Sequence, residues 1–226
     1  MRRVTAAELL DDDLGTSDEI SLSLDDLWRI NRFLGGISSN LRMLTRVLAR
    51  KGLRSPRILE IGAGDSRLAG RMHQKLLKRG IHAEYFVLDR RFAHLTNGQP
   101  KDNGLQPLVA DGFALPFAEG TFDVVMCNLF FHHFSGERAR EFLRSLAHVA
   151  RWAVLVNDLE RHILPYLFIR IASPFARSRL TKHDAPASVR QAYTREELKD
   201  LAAGAGFRDF EVERILPFRL GLTLWK

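Results

Sequence analysis

The pattern of apolar and polar positions divides the 226 residues into three stretches. Up to about Asp18 no hydrophobic period holds, and this part reads as a frayed, loosely packed arm. From Leu24 a helical period sets in, with Leu27, Ile30, Asn31 and Leu34 on one face before Gly35-Gly36. A second helix, from about Ser39 to Arg50, carries Leu41, Leu44, Thr45 and Leu48 on one side and stops at Gly52. Pro56 then opens a run of short apolar segments separated by helical ones, the alternation that builds a parallel sheet. It predicts strands at Arg57–Ile61, Ala83–Leu88, Leu105–Val109, Phe122–Cys127 and Trp152–Val156, with helices at Ser66–Arg79 and Glu137–Val149. A mostly apolar segment, Arg161–Leu180, comes next, interrupted by Pro165, Arg170 and Pro174. Asp184-Ala185-Pro186 signals a turn. Thr194 and Glu197 form a capping box and Tyr193 with Leu198 a staple, so a helix begins there and ends at Gly204 or Gly206. Phe210–Ile215 and Phe218–Leu224 read as two closing strands.

Four consecutive strands end on a polar or acidic residue: Glu60, Asp89, Asp111 and Asn128. Open α/β sheets bind ligands at the carboxyl ends of their strands, so these groups should converge on one crevice. The stretch "RILEIGAGDSRLAG" (Arg57–Gly70) has strand, glycine turn and helix in the order that brings backbone close to a nucleotide-like ligand. Its spacing excludes two such ligands. A dinucleotide fingerprint needs a third glycine where Arg67 stands, and a P-loop needs a Lys-Ser or Lys-Thr pair that does not occur after these glycines.

Composition adds limits. The length suits one compact unit, large enough to bury roughly 70% of its unfolded surface; 46% hydrophobic and 27% charged residues are ordinary for a soluble protein. The lone Cys127 excludes an intrachain disulfide and multi-cysteine metal clusters and suits a reducing cytoplasm. The N-terminus lacks a signal-peptide core, and no apolar run approaches the ~20 residues of a membrane span. Between Val4 and Trp28 stand eight acids and no Lys or Arg; setting those acids apart from a formal net charge of +7 leaves +15 on the remainder. Such a surface suits RNA, an anionic membrane face or an acidic substrate.

Glu60-x-Gly62-x-Gly64 with Ser66 in the last small position resembles motif I of the class I S-adenosylmethionine-dependent methyltransferases. The acid makes chemical sense, because the methionyl end of that ligand carries an ammonium and a sulfonium. "ILEIGAGDS", "YFVLDR", "VADGFALPFAEGTFDVVMCNLFFHHF" and "AYTREELKDLAAGAGF" fall in the order and spacing of the UbiE-like, type 11 members of that class, over about Pro56 to Phe210. The resemblance implies a seven-stranded Rossmann-like α/β fold, mostly parallel, with helices on both faces and an N-terminal helical extension. The expected division is an acidic arm and helical cap over 1–52 and the methyltransferase domain over 53–226. It implies S-adenosylmethionine as cofactor, with Asp89 on the ribose hydroxyls, Asp111 on the adenine amino group, and Gly112 and Phe113 beside the base. Glu60, Gly62, Ala63, Gly64 and Ser66 would border the methionyl end, with Arg90 next to the ribose and Asn128 and Leu129 at the reactive centre. "INRFLGG", "VNDLERH" and "LTKHDAPASVRQAYTREEL" further resemble a bacterial subgroup that tailors type III polyketides or related phenolic products in secondary metabolism.

The residues after the fourth strand narrow the choice of nucleophile. "NLFF" lacks the paired prolines of exocyclic-amine methylases. Cys127, last in an apolar strand, reads as core and not as a cytosine-C5 nucleophile. Asn128 is neutral where a metal-assisted catechol methylase would want an acid, so no metal is expected. There remain His132 and His133. A phenol titrates near ~10, and a histidine base would help remove its proton. Only one of two adjacent histidines is expected to face substrate, and the resemblance favours His133. His183, next to Asp184, is a further catalytic candidate in the segment that the family uses to cover its substrate. Phe131, Asn157, Tyr166, Asp184 and Arg190 are expected on the acceptor side. Together these point to a cytoplasmic enzyme, monomer or homodimer, that O-methylates a small hydrophobic phenolic or polyketide-type acceptor, with peripheral membrane contact compatible with its surface. C-methylation of a quinone or polyprenyl phenol is the alternative. An RNA-directed methyltransferase or RNA-binding module is disfavoured, because the aromatics sit in apolar strands and Phe-rich loops rather than among basic residues.

Overall fold

The computed structural model describes residues 1–6, 8–10, 14–96 and 104–226; Asp11, Asp12 and Asp13 of the acidic arm lie outside them. Seven strands form one sheet in the order β3-β2-β1-β4-β5-β7-β6. They are β1 (Arg57–Ile61), β2 (Glu84–Asp89), β3 (Leu105–Val109), β4 (Phe122–Asn128), β5 (Ala150–Leu159), β6 (Phe210–Ile215) and β7 (Arg219–Trp225). β1 to β5 pair in parallel, and β7 runs antiparallel between β5 and β6. The order reverses at β1 and β4, so the crevice that collects ligands in such sheets lies beyond their carboxyl ends.

The central strands read as continuous apolar runs because both sheet faces are covered. Successive side chains alternate between faces. Leu59, Ile61, Val125 and Cys127 pack with α5 (Gly136–Val149) and α8 (Arg195–Gly204). Ile58, Val124 and Met126 pack with α2 (Gly36–Arg50) and α3 (Arg67–Leu77). Cys127 is fully buried in this core, and burial pushes its thiol well above the usual range.

The N-terminal third departs from the expected arm. α1 spans Ser17–Phe33, a turn and more earlier than the hydrophobic period suggests, because Thr16 and Glu19 form a capping box. Ahead of it the chain is docked rather than frayed. Asp184 accepts hydrogen bonds from the Leu9 and Leu10 N–H groups, at 2.9 and 3.0 Å. Glu8 Oε1 accepts from Ser188 Oγ and Gln191 Nε2, and Arg3 donates to the carbonyls of Gln191, His132 and Phe134. Glu8 is therefore a partner of a distant helix, a relation that no local period can carry.

That helix is α7 (Arg179–Gln191), and it runs straight through the expected turn, with Pro186 in its interior. Its packing against α1 and its grip on the arm override the local turn signal. Before it, α6 (Ile163–Ala172) occupies most of the apolar segment, after a short helix α4 (Phe92–Thr96) earlier in the chain. A burial of α6 between sheet and cap is not what forms: Pro165 is its one buried residue. The capping box at Thr194 and Glu197 and the buried Tyr193–Leu198 staple are both present.

Candidate active site

The glycine turn after β1 sets the geometry. Gly62, Gly64 and Ser66 all have positive φ, of 66°, 53° and 59°, which folds the backbone back over the sheet edge. A side chain at Gly62 would lie 2.7 Å from the Phe130 ring, so the turn after β4 packs directly on the turn after β1. Between them and the helical cap opens a cleft with about 1270 Å³ of free space, part of it facing solvent.

One half of this region is acidic. Glu60 is buried at the end of β1, and burial raises its carboxyl to about 7, with Asp65 adding to the rise and the hydrogen bond from Tyr85 Oη, at 2.9 Å, opposing it. Asp89, at the end of β2, accepts the Gly64 and Arg91 N–H groups, one on each carboxylate oxygen, both at 3.0 Å. Glu60, Gly62, Ala63, Gly64, Asn128 and Leu129 line one recess, and Gly62, Gly64, Asp89, Arg90 and Leu129 face the main cleft. Ser66 Oγ is buried with no hydrogen-bond partner among the described residues. Asp111, Gly112 and Phe113 do not line either space. Asp111 is exposed and accepts the Phe113 N–H, Gly112 fits between Phe142 and Ile61, and Phe113 packs edge-on against Phe134 beneath Arg138.

The ends of β4 and β5 belong to a buried polar network. Asn128 accepts from Asn40 Nδ2 at 2.8 Å and donates to Asn31 Oδ1, and Asn157 donates to Ser39 Oγ. Arg219, fully buried, donates to the Oδ1 atoms of Asn31, Asn128 and Asn157 and to the Leu34 carbonyl. Burial lowers this guanidinium to about 10, with Asp158 pulling the other way. Five elements are joined by these bonds, so Asn128 and Asn157 hold the cap on the sheet.

The histidine pair is divided by its surroundings. The 3₁₀ turn Phe131–His133 buries His132, whose Nδ1 lies 2.7 Å from Asp158 Oδ1 and whose backbone N–H donates to Asp158 Oδ2. Its Nε2 faces Glu8 Oε1 at 3.4 Å. Burial alone would lower this imidazole, but Asp158 and then Glu8 raise it to about 10, so it carries a proton at neutral pH. The same proton holds the Asp158 and Glu8 carboxyls below their ordinary values against the opposing effect of burial. His133 is half-buried, lines the cleft, and packs with tilted rings against His132 and Phe130 at 4.2 and 5.6 Å between ring centres. Glu8, His132 and His133 offer donor atoms within 4.8 Å of one another, with Asp158 behind His132 in the position of an orienting carboxylate. A metal ion there would have to displace the proton that the two carboxylates hold on His132.

The remaining expected residues are scattered. His183 contacts Asp184 at 2.8 Å but is exposed and does not line the cleft. Asp184 holds the arm, Phe131 is core packed against Phe142 and Tyr193, and Arg190 is exposed with its carbonyl on the Val4 N–H. Tyr166 is half-buried away from the cleft lining. The other wall is apolar, in a form the sequence does not announce: Leu27 and Ile30 of α1 and Leu34 at its C-cap line it with Phe168 and Ile169 of α6 and Pro217 and Phe218 before β7. Glu8, Arg3 and Arg219 also escape a reading of the sequence. Asp158 is visible there as the acid that ends the fifth strand, and pairing it with His132 is the signal that could find this part of the site.

A family profile described as a methyltransferase domain matches residues 59–153, from β1 into β5. Residues 59–153 carry a methyltransferase domain. No curated protein matches the chain. Solved structures share the methyltransferase fold at low identity. The plantazolicin methyltransferase BpumL in complex with SAH superposes with a TM-score of 0.73 at 14% identity, covering 97% of this chain and 94% of that one. BamL, in complex with a triazolic desmethylPZN analog and SAH, gives 0.68 at 15%, covering 89% and 90%. A SAM-dependent methyltransferase from Aquifex aeolicus gives 0.58 at 16%, covering 83% and 97%.

Proposed function

We propose that this methyltransferase O-methylates a hydrophobic phenolic small molecule. The carrying observation is the cleft itself, lined by apolar residues of α1 and α6, by the glycine turn after β1 with Asp89, and by His133. Polar groups at one end of this cleft and apolar ones at the other suit a cofactor and an acceptor side by side.

The residues at the acidic half fit S-adenosylmethionine. Glu60 and Asp89 flank a turn whose backbone faces the cleft, and the buried Ser66 Oγ awaits a polar partner. Glu60, raised by burial, gains a reason to ionise when an ammonium or sulfonium arrives. When bound, this cofactor supplies an electrophilic methyl group. The chain's own residues do the rest. Asp89, on the cleft wall, is held in a fixed orientation by two backbone N–H groups, and its carboxylate suits the hydroxyls of a vicinal diol. Leu27, Ile30 and Phe168 exclude water and orient the acceptor ring. His133 removes the phenolic proton while Glu8, His132 and Asp158 hold its turn in place.

Asp89→Ala is expected to weaken cofactor binding by ~1.5–3 kcal/mol, the range for charge-assisted hydrogen bonds. Calorimetric titration of the purified variant checks it; an unchanged dissociation constant would remove Asp89 from the site. For the acceptor, each methylene buried against the apolar wall contributes ~0.8 kcal/mol. Michaelis constants should therefore fall about fourfold per methylene along an alkylresorcinol series. A flat series, or transfer only to small polar amines or total RNA, would overturn the acceptor class. Mass and NMR analysis of the product separates O-methylation from C-methylation of the ring.

A further inference from the structure

The apolar wall of the cleft continues outside it. In α6, Leu164, Leu167 and Ile171 point to solvent, Ile171 at 72% exposure, and Phe175 in the next 3₁₀ turn is 85% exposed. Across the cleft mouth, Leu216 is 90% exposed beside Pro217 and Phe33 is 72% exposed beside Leu34, where Pro217 and Leu34 themselves line the cleft. Phe168 and Phe218 meet at 5.8 Å between ring centres, joining the two sides of this rim. Three separate parts of the chain thus bring large apolar side chains into solvent around one opening. Folding alone gives no reason to keep them there.

The charges on the α6 side of the rim have one sign. Arg161 to Lys182 contains four arginines, one lysine and no acid. Arg170, Arg177 and Lys182 are exposed, and Arg32 is exposed next to Phe33. Two acids of α1 are engaged here, Asp26 accepting the backbone N–H groups of Arg177 and Ser178 and Glu19 pairing with Arg179. None of the helices among the described residues is long and apolar enough to cross a membrane. A short helix with an apolar face and flanking arginines is suited instead to lie in the plane of a membrane interface.

We propose that this rim docks on an anionic lipid bilayer, with α6, Phe175 and Leu216 inserted among the acyl chains and Arg32, Arg170 and Arg177 on the phosphates. The cleft mouth then opens onto the lipid phase, and an apolar acceptor passes from bilayer to site without crossing water. This goes beyond the acceptor chemistry proposed above and stands on the surface alone. Its test needs no turnover, so a failure of the acceptor assignment leaves it separately testable.

The experiment is co-sedimentation of the full chain with phosphatidylglycerol–phosphatidylcholine vesicles, compared with phosphatidylcholine vesicles, at low and high salt. Wild type is expected to partition onto the anionic vesicles and to be released in part by salt. Ile171→Asp and Phe175→Asp should each lower partitioning at least about tenfold. Arg170→Glu with Arg177→Glu should abolish the preference for anionic lipid. All four positions are exposed, and unchanged circular dichroism and Tm verify folding; Leu216→Ser serves as a further variant of the opposite rim. Equal partitioning by wild type and Ile171→Asp would overturn the proposal, as would no binding of wild type to either vesicle. It would also be overturned by a wild-type dimer in light scattering that Ile171→Asp renders monomeric, since a second copy would then cover the rim.

Discussion

Replacing His133 by alanine is expected to lower turnover on a phenolic acceptor by ~10²–10⁴-fold, the usual contribution of a positioned general base. Cofactor affinity should stay near that of wild type, because the carboxylates at the ends of β1 and β2 are untouched. The contrast within the histidine pair is the reason. His132 is clamped between Asp158 and Glu8 and already holds its proton, so it has no capacity to accept another. His133 is half-buried on the cleft wall, where an acceptor hydroxyl can reach its ring. The loss should shrink for acceptors whose hydroxyl is more acidic, since these need less help in giving up the proton. Steady-state kinetics across phenols of graded acidity provide the check. An equal loss for all of them would assign His133 a packing role against Phe130.

The second large effect concerns stability. Asp158→Ala leaves a buried imidazolium with one long contact to Glu8 and an unpaired His132 backbone N–H, and removing one partner of a buried pair costs ~3–5 kcal/mol. The sign of its pH dependence comes from His132, whose folded value of about 10 exceeds its unfolded value of 6.5. A raised value means stabilisation that is whole below pH 6.5, erodes as pH rises from there toward 10, and is gone above it. The Asp158 and Glu8 carboxyls are lowered, so on the acid side the same stabilisation disappears as pH falls through their depressed values. Urea midpoints of wild type and Asp158→Ala should therefore lie furthest apart near neutral to slightly acid pH and converge toward about pH 10. A gap independent of pH would mean that Asp158 acts through backbone hydrogen bonds alone.

Most of the sheet was legible because its strands report burial on both faces: "FDVVMC" reads as a nearly unbroken apolar run, and Phe122–Asn128 is buried throughout. The turn residues Gly62 and Gly64 and the strand-end acids Glu60 and Asp89 were legible for a related reason, since φ above zero and an acid at a strand end are features of single positions. What escaped was relational. Glu8 has its meaning only through Ser188, Gln191 and His132, and Asn31 and Asn40 only through Asn128 and Arg219. The Asp184-Ala185-Pro186 turn signal failed because Asp184 is occupied by Leu9 and Leu10, contacts 175 and 174 residues away in sequence that outweigh a local preference. Asp111 behaves as a local turn former, closing on Phe113, and its strand-end position alone did not distinguish that from a role in the cleft.

The docked arm has a consequence for the order in which the molecule assembles and opens. Its partners on α7 lie at the far end of the chain, so the arm must wait for nearly all of the protein before it can close, and its loop is among the longest that folding must join. Among its described residues it brings no strand to the sheet, and segments of that kind are candidates for local opening while the core persists. Detachment withdraws Glu8 from His132 and uncovers the cleft along the edge that Glu8 and Leu10 line. Such an opening would be held shut by hydrogen bonds, and its breathing is measurable as hydrogen exchange at the Leu9 and Leu10 N–H groups.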